Sequence, residues 1–81
     1  MTPRLRRLSA RDVLRALTRF DFEVVATRGS HAKLVREPAD GTRQILTIPL
    51  HRELAPGTLR AIFRQASRYI PEDELRPFFF S

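Results

Sequence analysis

FEVVATRGSHAKLVREPADGTRQILTIP, residues 22–49, decides the fold. Phe22, Val24 and Ala26 alternate with Glu23, Val25 and Thr27, the period of two in which successive side chains point to opposite faces of a strand. Arg28-Gly29-Ser30 interrupts the run, with Gly29 suited to the positive φ of a three-residue hairpin loop, and residues 31–36 resume as a second strand. Glu37-Pro38-Ala39-Asp40-Gly41 is a turn signal, after which the β-branched residues 43–48, closed by Pro49, form a third strand. Register follows from keeping apolar residues together on one face. Ala26 opposite Ala32, Val24 opposite Leu34, Leu34 opposite Leu46 and Ala32 opposite Ile48 make one side of an antiparallel sheet apolar throughout. The other side then carries Thr27, His31, Lys33 and Thr47, interspersed with Val25, Val35 and Ile45.

The flanking segments supply the cover for the apolar side. Val13, Leu14, Leu17 and Phe20 fall at helical spacing, and Ser9 with Asp12 three residues later forms a capping box, with Leu8 and Val13 placed for a hydrophobic staple. Pro56 opens a second helix in which Leu59, Ile62, Phe63 and Ala66 form the core face and Arg60, Arg64 and Arg68 a basic ridge. Pro71-Glu72-Asp73-Glu74 is the acidic first turn of a short third helix, with Leu75, Phe78 and Phe79 on one side of it. Packing of those aromatics on the core and contact with another chain both remain open. The order α-β-β-β-α, with a short C-terminal helix, predicts an α+β fold of two layers around a three-stranded antiparallel sheet, the element order of a double-stranded RNA-binding domain. With 81 residues the chain is read as one domain, with a core over 8–70 and a C-terminal extension over 71–81.

The composition is that of a folded chain, 42% hydrophobic and 30% charged. No cysteine is present, so neither a disulfide framework nor a thiolate metal site contributes, and no apolar run reaches the roughly 20 residues needed to span a membrane. A cytoplasmic protein is expected. The net charge of +6 and pI near 11.4 favour a polyanionic partner, nucleic acid or an acidic protein, because clustered cations are rewarded by counterion release. Residues 1–70 hold 14 Lys and Arg against 6 Asp and Glu, whereas residues 71–81 hold 1 against 3, so the basic character belongs to the body.

Two histidines, His31 and His51, are available for chemistry. The register places His31 opposite the Pro49 end of the third strand, with His51 just beyond at the same edge. An imidazole titrating near neutral pH can accept a proton from a ribose 2′-hydroxyl or give one to a leaving 5′-oxygen, the minimum for cleaving RNA without a metal. Lys33 shares the strand face of His31, where its charge can stabilise negative charge building on phosphorus. Arg28, Gly29, Ser30, Lys33 and Thr47, with Arg60 and Arg64 on the second helix, are the candidate RNA contacts. Residue type and spacing leave a basic binding module and a nuclease level: His31 as a surface histidine, Lys33 as a solvated strand residue and the arginine ridge as a soluble helix face account for the same pattern.

Three linked motifs go further. Gly29-Ser30-His31 followed by Lys33, then Thr47-Ile48-Pro49-Leu50-His51, then Pro56-Gly57-Thr58-Leu59-Arg60-Ala61-Ile62 with Gln65-Ala66 resemble, in that order and spacing, the HicA family of toxins over residues 8–70. The resemblance implies a double-stranded RNA-binding-like fold, translation-independent mRNA cleavage with no required metal or other cofactor, and neutralisation by a HicB-like antitoxin in a heteromeric complex. It makes His31 the catalytic residue, with Lys33 and His51 as supporting groups, His51 either a second acid/base or a substrate contact. Asp21 departs from the family's usual glycine before the aromatic at Phe22, which bears on the turn after the first helix more than on the chemistry.

Two rival functions stay in view. A non-catalytic RNA-binding module of the same fold predicts salt-sensitive binding without cleavage. A protein-interaction domain that uses the Val25, Val35 and Ile45 patch predicts neither. A metal hydrolase is disfavoured, because the open face offers the two histidines and no inward carboxylate beyond Glu23.

Overall fold

In the computed structural model, which describes residues 2–81, the sheet is β1 (Glu23–Arg28), β2 (His31–Arg36) and β3 (Gln44–Pro49), antiparallel in the order β1-β2-β3. Helix α1 (Ala10–Thr18) precedes it, and α2 (Pro56–Ala66) and α3 (Glu72–Phe79) follow. This is the α+β arrangement expected from the alternation of periods. Pairing of β2 with β3 is as expected, with Leu34 opposite Leu46 and Ala32 opposite Ile48.

The first hairpin differs. A bulge at Val25 shifts the register, so that Val24 still faces Leu34 but Ala26 lies opposite Lys33, Thr27 opposite Ala32 and Arg28 opposite His31. The hairpin therefore closes over two residues, Gly29 and Ser30, rather than three. Gly29 at φ +55, with Ser30 at negative φ, has the sign pattern of a type II′ turn, whose twist matches that of the strands it joins. Because paired residues share a face, Thr27 moves to the helix side and Arg28 takes a place beside His31 on the open side. A face-alternation argument cannot see this, since one extra residue inverts the parity of everything after it.

Both long helices pack over β3, and their buried sides, Val13 and Leu17 on α1 with Leu59 and Ile62 on α2, meet Leu34, Leu46 and Ile48. Strand β1 extends beyond this cover. All six of its residues are exposed, including Val24, which the expected register would bury. Val35, expected on the open patch, is instead only 7% exposed, because it lies on the central strand between Glu23 and Ile45.

Helix α1 begins where the capping box puts it: the Ser9 N–H donates to Asp12 Oδ2 at 3.0 Å and the Asp12 N–H to Ser9 Oγ at 3.1 Å. Leu8 and Val13 are both buried, as the staple requires. Asp21 stands at φ +71, and N–H bonds from Phe22 to the Leu17 carbonyl and from Asp21 to the Thr18 carbonyl close a Schellman turn around it. Glycine is the residue that adopts this backbone freely, and aspartate is among the few others that tolerate it. The same turn delivers Phe22 into the core against Leu17, both fully buried.

The tail packs inward. Leu75 and Phe79 are fully buried, and Phe63 meets Phe79 and Phe80 edge-on at centroid distances of 5.4 and 5.2 Å. Residues near both ends of the chain hydrogen-bond to each other, with Arg4 and Ser81 exchanging two backbone bonds of 2.8 Å and the Arg6 N–H donating to the Phe79 carbonyl. The acidic start of α3 includes Glu72, which pairs with Arg76 one turn on.

Candidate functional site

The turn at Gly29-Ser30 and the bulge at Val25 together set one end of the sheet's open face. Reading across the strands, the outermost row is Arg28, His31 and Pro49, and the next is Ala26, Lys33 and Thr47. Arg28, His31, Lys33 and Thr47 are all exposed. None of their side chains has a hydrogen-bond or ion-pair partner among the described residues, where Glu72 with Arg76 is the one ion pair. A histidine flanked by two unneutralised cations on an uncovered strand surface can receive a phosphodiester and move a proton on it. The carboxylate of this face, Glu23, lies on the row of Val35 and Ile45, separated from His31 by the Lys33 row.

Ser30 contributes through its backbone: its carbonyl accepts the Leu50 N–H at 2.6 Å, tying the hairpin turn to the loop that follows β3. His51 is next in that loop, exposed, with its carbonyl accepting the N–H of Ala10 at 3.0 Å. Its side chain lines an open groove formed with the first turns of α1, a groove that does not include His31.

Arg60 and Arg64 lie elsewhere. The side of α2 that carries Leu59, Ile62 and Ala66 faces the sheet, so the arginines emerge on the helical layer, where both border a groove with Phe63, Arg76 and Phe80. They therefore lie on the layer opposite the open face that carries the His31 row. Their spacing showed a basic ridge but not which layer would present it.

Sequence reasoning missed Arg36. Its Nε donates to Gln44 Oε1 at 2.7 Å, Nη1 to the Phe20 carbonyl at 3.0 Å and Nη2 to the Tyr69 carbonyl at 2.7 Å, and its guanidinium lies 5.0 Å from the Phe22 ring centroid. The carbonyls it takes belong to the turns that follow α1 and α2, so this cation ties both turns to the sheet. The signal available was its place at the close of a strand beside an apolar core; the partners lie 16 and 33 residues away in sequence and are invisible to local pattern.

Among the described residues no three His, Cys, Asp or Glu side chains gather as a metal site, and no helix is long and apolar enough to cross a membrane. Comparison with known proteins finds one family whose sequence model matches residues 10–67, described as "HicA toxin of bacterial toxin-antitoxin". The match spans α1 through α2 and leaves α3 outside it. A search of curated proteins returns no match.

Proposed function

The chain belongs to the HicA toxin family of bacterial toxin-antitoxin systems, and from that premise we propose that it is a cytoplasmic, metal-independent endoribonuclease that cleaves mRNA with His31 as its proton-transfer group. The observation that carries this reading is the row in which the bulge at Val25 sets Arg28 beside His31, with Lys33 one row in, all exposed and without acidic partners. Arg28 and Lys33 engage the phosphates on either side of the cut. His31 takes the proton from the 2′-hydroxyl as the 2′-oxygen bonds to phosphorus; the bond from phosphorus to the 5′-oxygen breaks, and that oxygen leaves with a proton from water. Lys33 stabilises the additional negative charge on the five-coordinate phosphorus, and the products are a cyclic 2′,3′-phosphate and a free 5′-hydroxyl.

A toxin of such a system is paired with an antitoxin. A HicB-like antitoxin that covers the open face suits this surface, since it would meet cations near the turn and the exposed Val25 and Ile45 farther along. The non-catalytic alternative, an RNA-binding module of the same fold, uses the same cations.

The deciding experiment incubates purified protein with a long RNA in excess chelator beside a His31→Ala variant whose thermal unfolding matches the wild type. Cleavage by the wild type with binding but no cleavage by the variant is expected. Binding by both with cleavage by neither would leave the binding module as the function.

A further inference from the structure

The loop after β3 is fixed at two points, by the Leu50 N–H on the Ser30 carbonyl and by the His51 carbonyl on the Ala10 N–H. It therefore bridges the turn that precedes His31 and the start of α1, and between this loop and the first turns of α1 is a groove of about 560 Å³. Leu14 and Leu50, both half-buried, form its floor, and Arg11, His51, Arg52 and Ser9 stand at its rim. The side chains of Arg11, His51 and Arg52 have no hydrogen-bond or ion-pair partner among the described residues. This groove also differs in lacking a carboxylate. Four other surface grooves each include a carboxylate, Glu53, Asp12, Glu72, or Asp21 with Glu23 and Glu37, whereas this one has two arginines and no acid on its lining.

An apolar floor beneath a cationic rim matches the two halves of a nucleotide, a flat base that prefers to leave water and a phosphate that seeks cations. The volume lies within the range of small-ligand sites, about 300–1,000 Å³. The position is suitable as well. Pro49 lies opposite His31, and His51 follows two residues later in the loop after β3.

Resting on the nuclease reading above, we propose that this groove is the subsite for the nucleotide beside the scissile phosphate. Its base lies on Leu14 and Leu50, Arg11 and Arg52 hold the adjoining phosphate, and His51 contacts the base as a specificity-determining residue, not as a second proton-transfer group. The RNA strand thus passes from the open face at His31 over the rim of the sheet toward α1. The groove that His51 lines is built with α1, and His31 is not part of it.

The test compares wild type, His51→Ala, Arg52→Ala and the groove-filling Leu14→Phe on random-sequence RNA, with the cut ends sequenced, and measures kcat and KM on one preferred oligonucleotide. The histidine and arginine are exposed, so these two variants keep the test intact if Leu14→Phe fails to fold. The expected result is a KM raised about tenfold with kcat within about threefold of wild type, loss of base preference at one position beside the cut, and an unaltered shape of the kcat pH profile. A fall in kcat of about 100-fold with one limb of the pH profile lost would overturn the assignment in favour of proton transfer by His51. Unchanged KM and cut pattern in all variants would overturn the subsite while leaving the nuclease reading intact; a wild type that cuts no RNA would overturn both.

Discussion

At one end of β2 the guanidinium of Arg36 is bonded from three nitrogens to Gln44, Phe20 and Tyr69 and lies over the Phe22 ring. At the other end His31 and Lys33, with Arg28 opposite, have no side-chain partner among the described residues. The same strand thus carries a cation consumed by the fold and cations left free by it. A cation whose three nitrogens each already donate to the protein adds rigidity and is poorly placed to grip an anion, whereas an unpaired cation on an uncovered surface is an attraction waiting for one. Net charge alone merges the two. For a chain with 15 Lys and Arg and a single ion pair among its described residues, the useful question is which cations the fold has already engaged.

The contrast breaks most visibly at Arg36. Removing it leaves the carbonyls of the turns after α1 and α2 without this donor, and Arg36→Ala is expected to lower stability by about 2–4 kcal/mol. For a domain of this size that is a fall in Tm of about 10–20 °C, read by thermal denaturation. His31→Ala should stay within about 0.5 kcal/mol of wild type in the same measurement, since its side chain is exposed and unbonded. Arg36→Lys should recover less than half of the loss, because an ammonium cannot reach three acceptors in one plane. Equal destabilisation by His31→Ala and Arg36→Ala would dissolve the distinction between the two ends.

At the free end the expected change is in binding, not folding. Arg28→Gln and Lys33→Gln should each weaken RNA binding by an inactive His31→Ala background and reduce the slope of log affinity against log salt by about 0.7, the value for one phosphate contact on a single strand. The same change at Arg64, on the helical layer, should leave that slope alone for a short RNA. An equal effect at all three positions would show that the RNA wraps both layers.

The smallest effect belongs to the scaffold that anchors the loop after β3. The Asp12 carboxyl is held below its ordinary range, first by the Ser9 backbone N–H and then by the Ser9 hydroxyl. A depressed carboxyl contributes stability that is fully present above its unfolded value near 3.8 and is lost as pH falls through the lower folded value. Asp12→Ala should therefore cost about 1 kcal/mol at neutral pH, with the difference from wild type shrinking as acid denaturation is followed below that range. A difference independent of pH would assign the loss to packing instead of the cap.

Much of the scaffold is legible in the sequence because local rules govern it. The capping box at Ser9 and Asp12, the proline that opens α2, the acidic start of α3 and the pairing of β2 with β3 all follow from residue type at short separation, and His31, Lys33 and Thr47 reach one face by strand parity alone. The tertiary structure decided what parity and period cannot carry. One extra residue at Val25 exchanged Thr27 for Arg28 beside His31, the limited width of the helical layer left β1 uncovered, and the fold of α2 turned Arg60 and Arg64 to the far side. Arg36 acquired its role from carbonyls that chain folding alone brought to it, and the groove at His51 exists because a loop and a helix distant in sequence meet there. Local free energies choose the elements; which cations remain free is settled by contacts between residues far apart in sequence, where no window of sequence holds both partners.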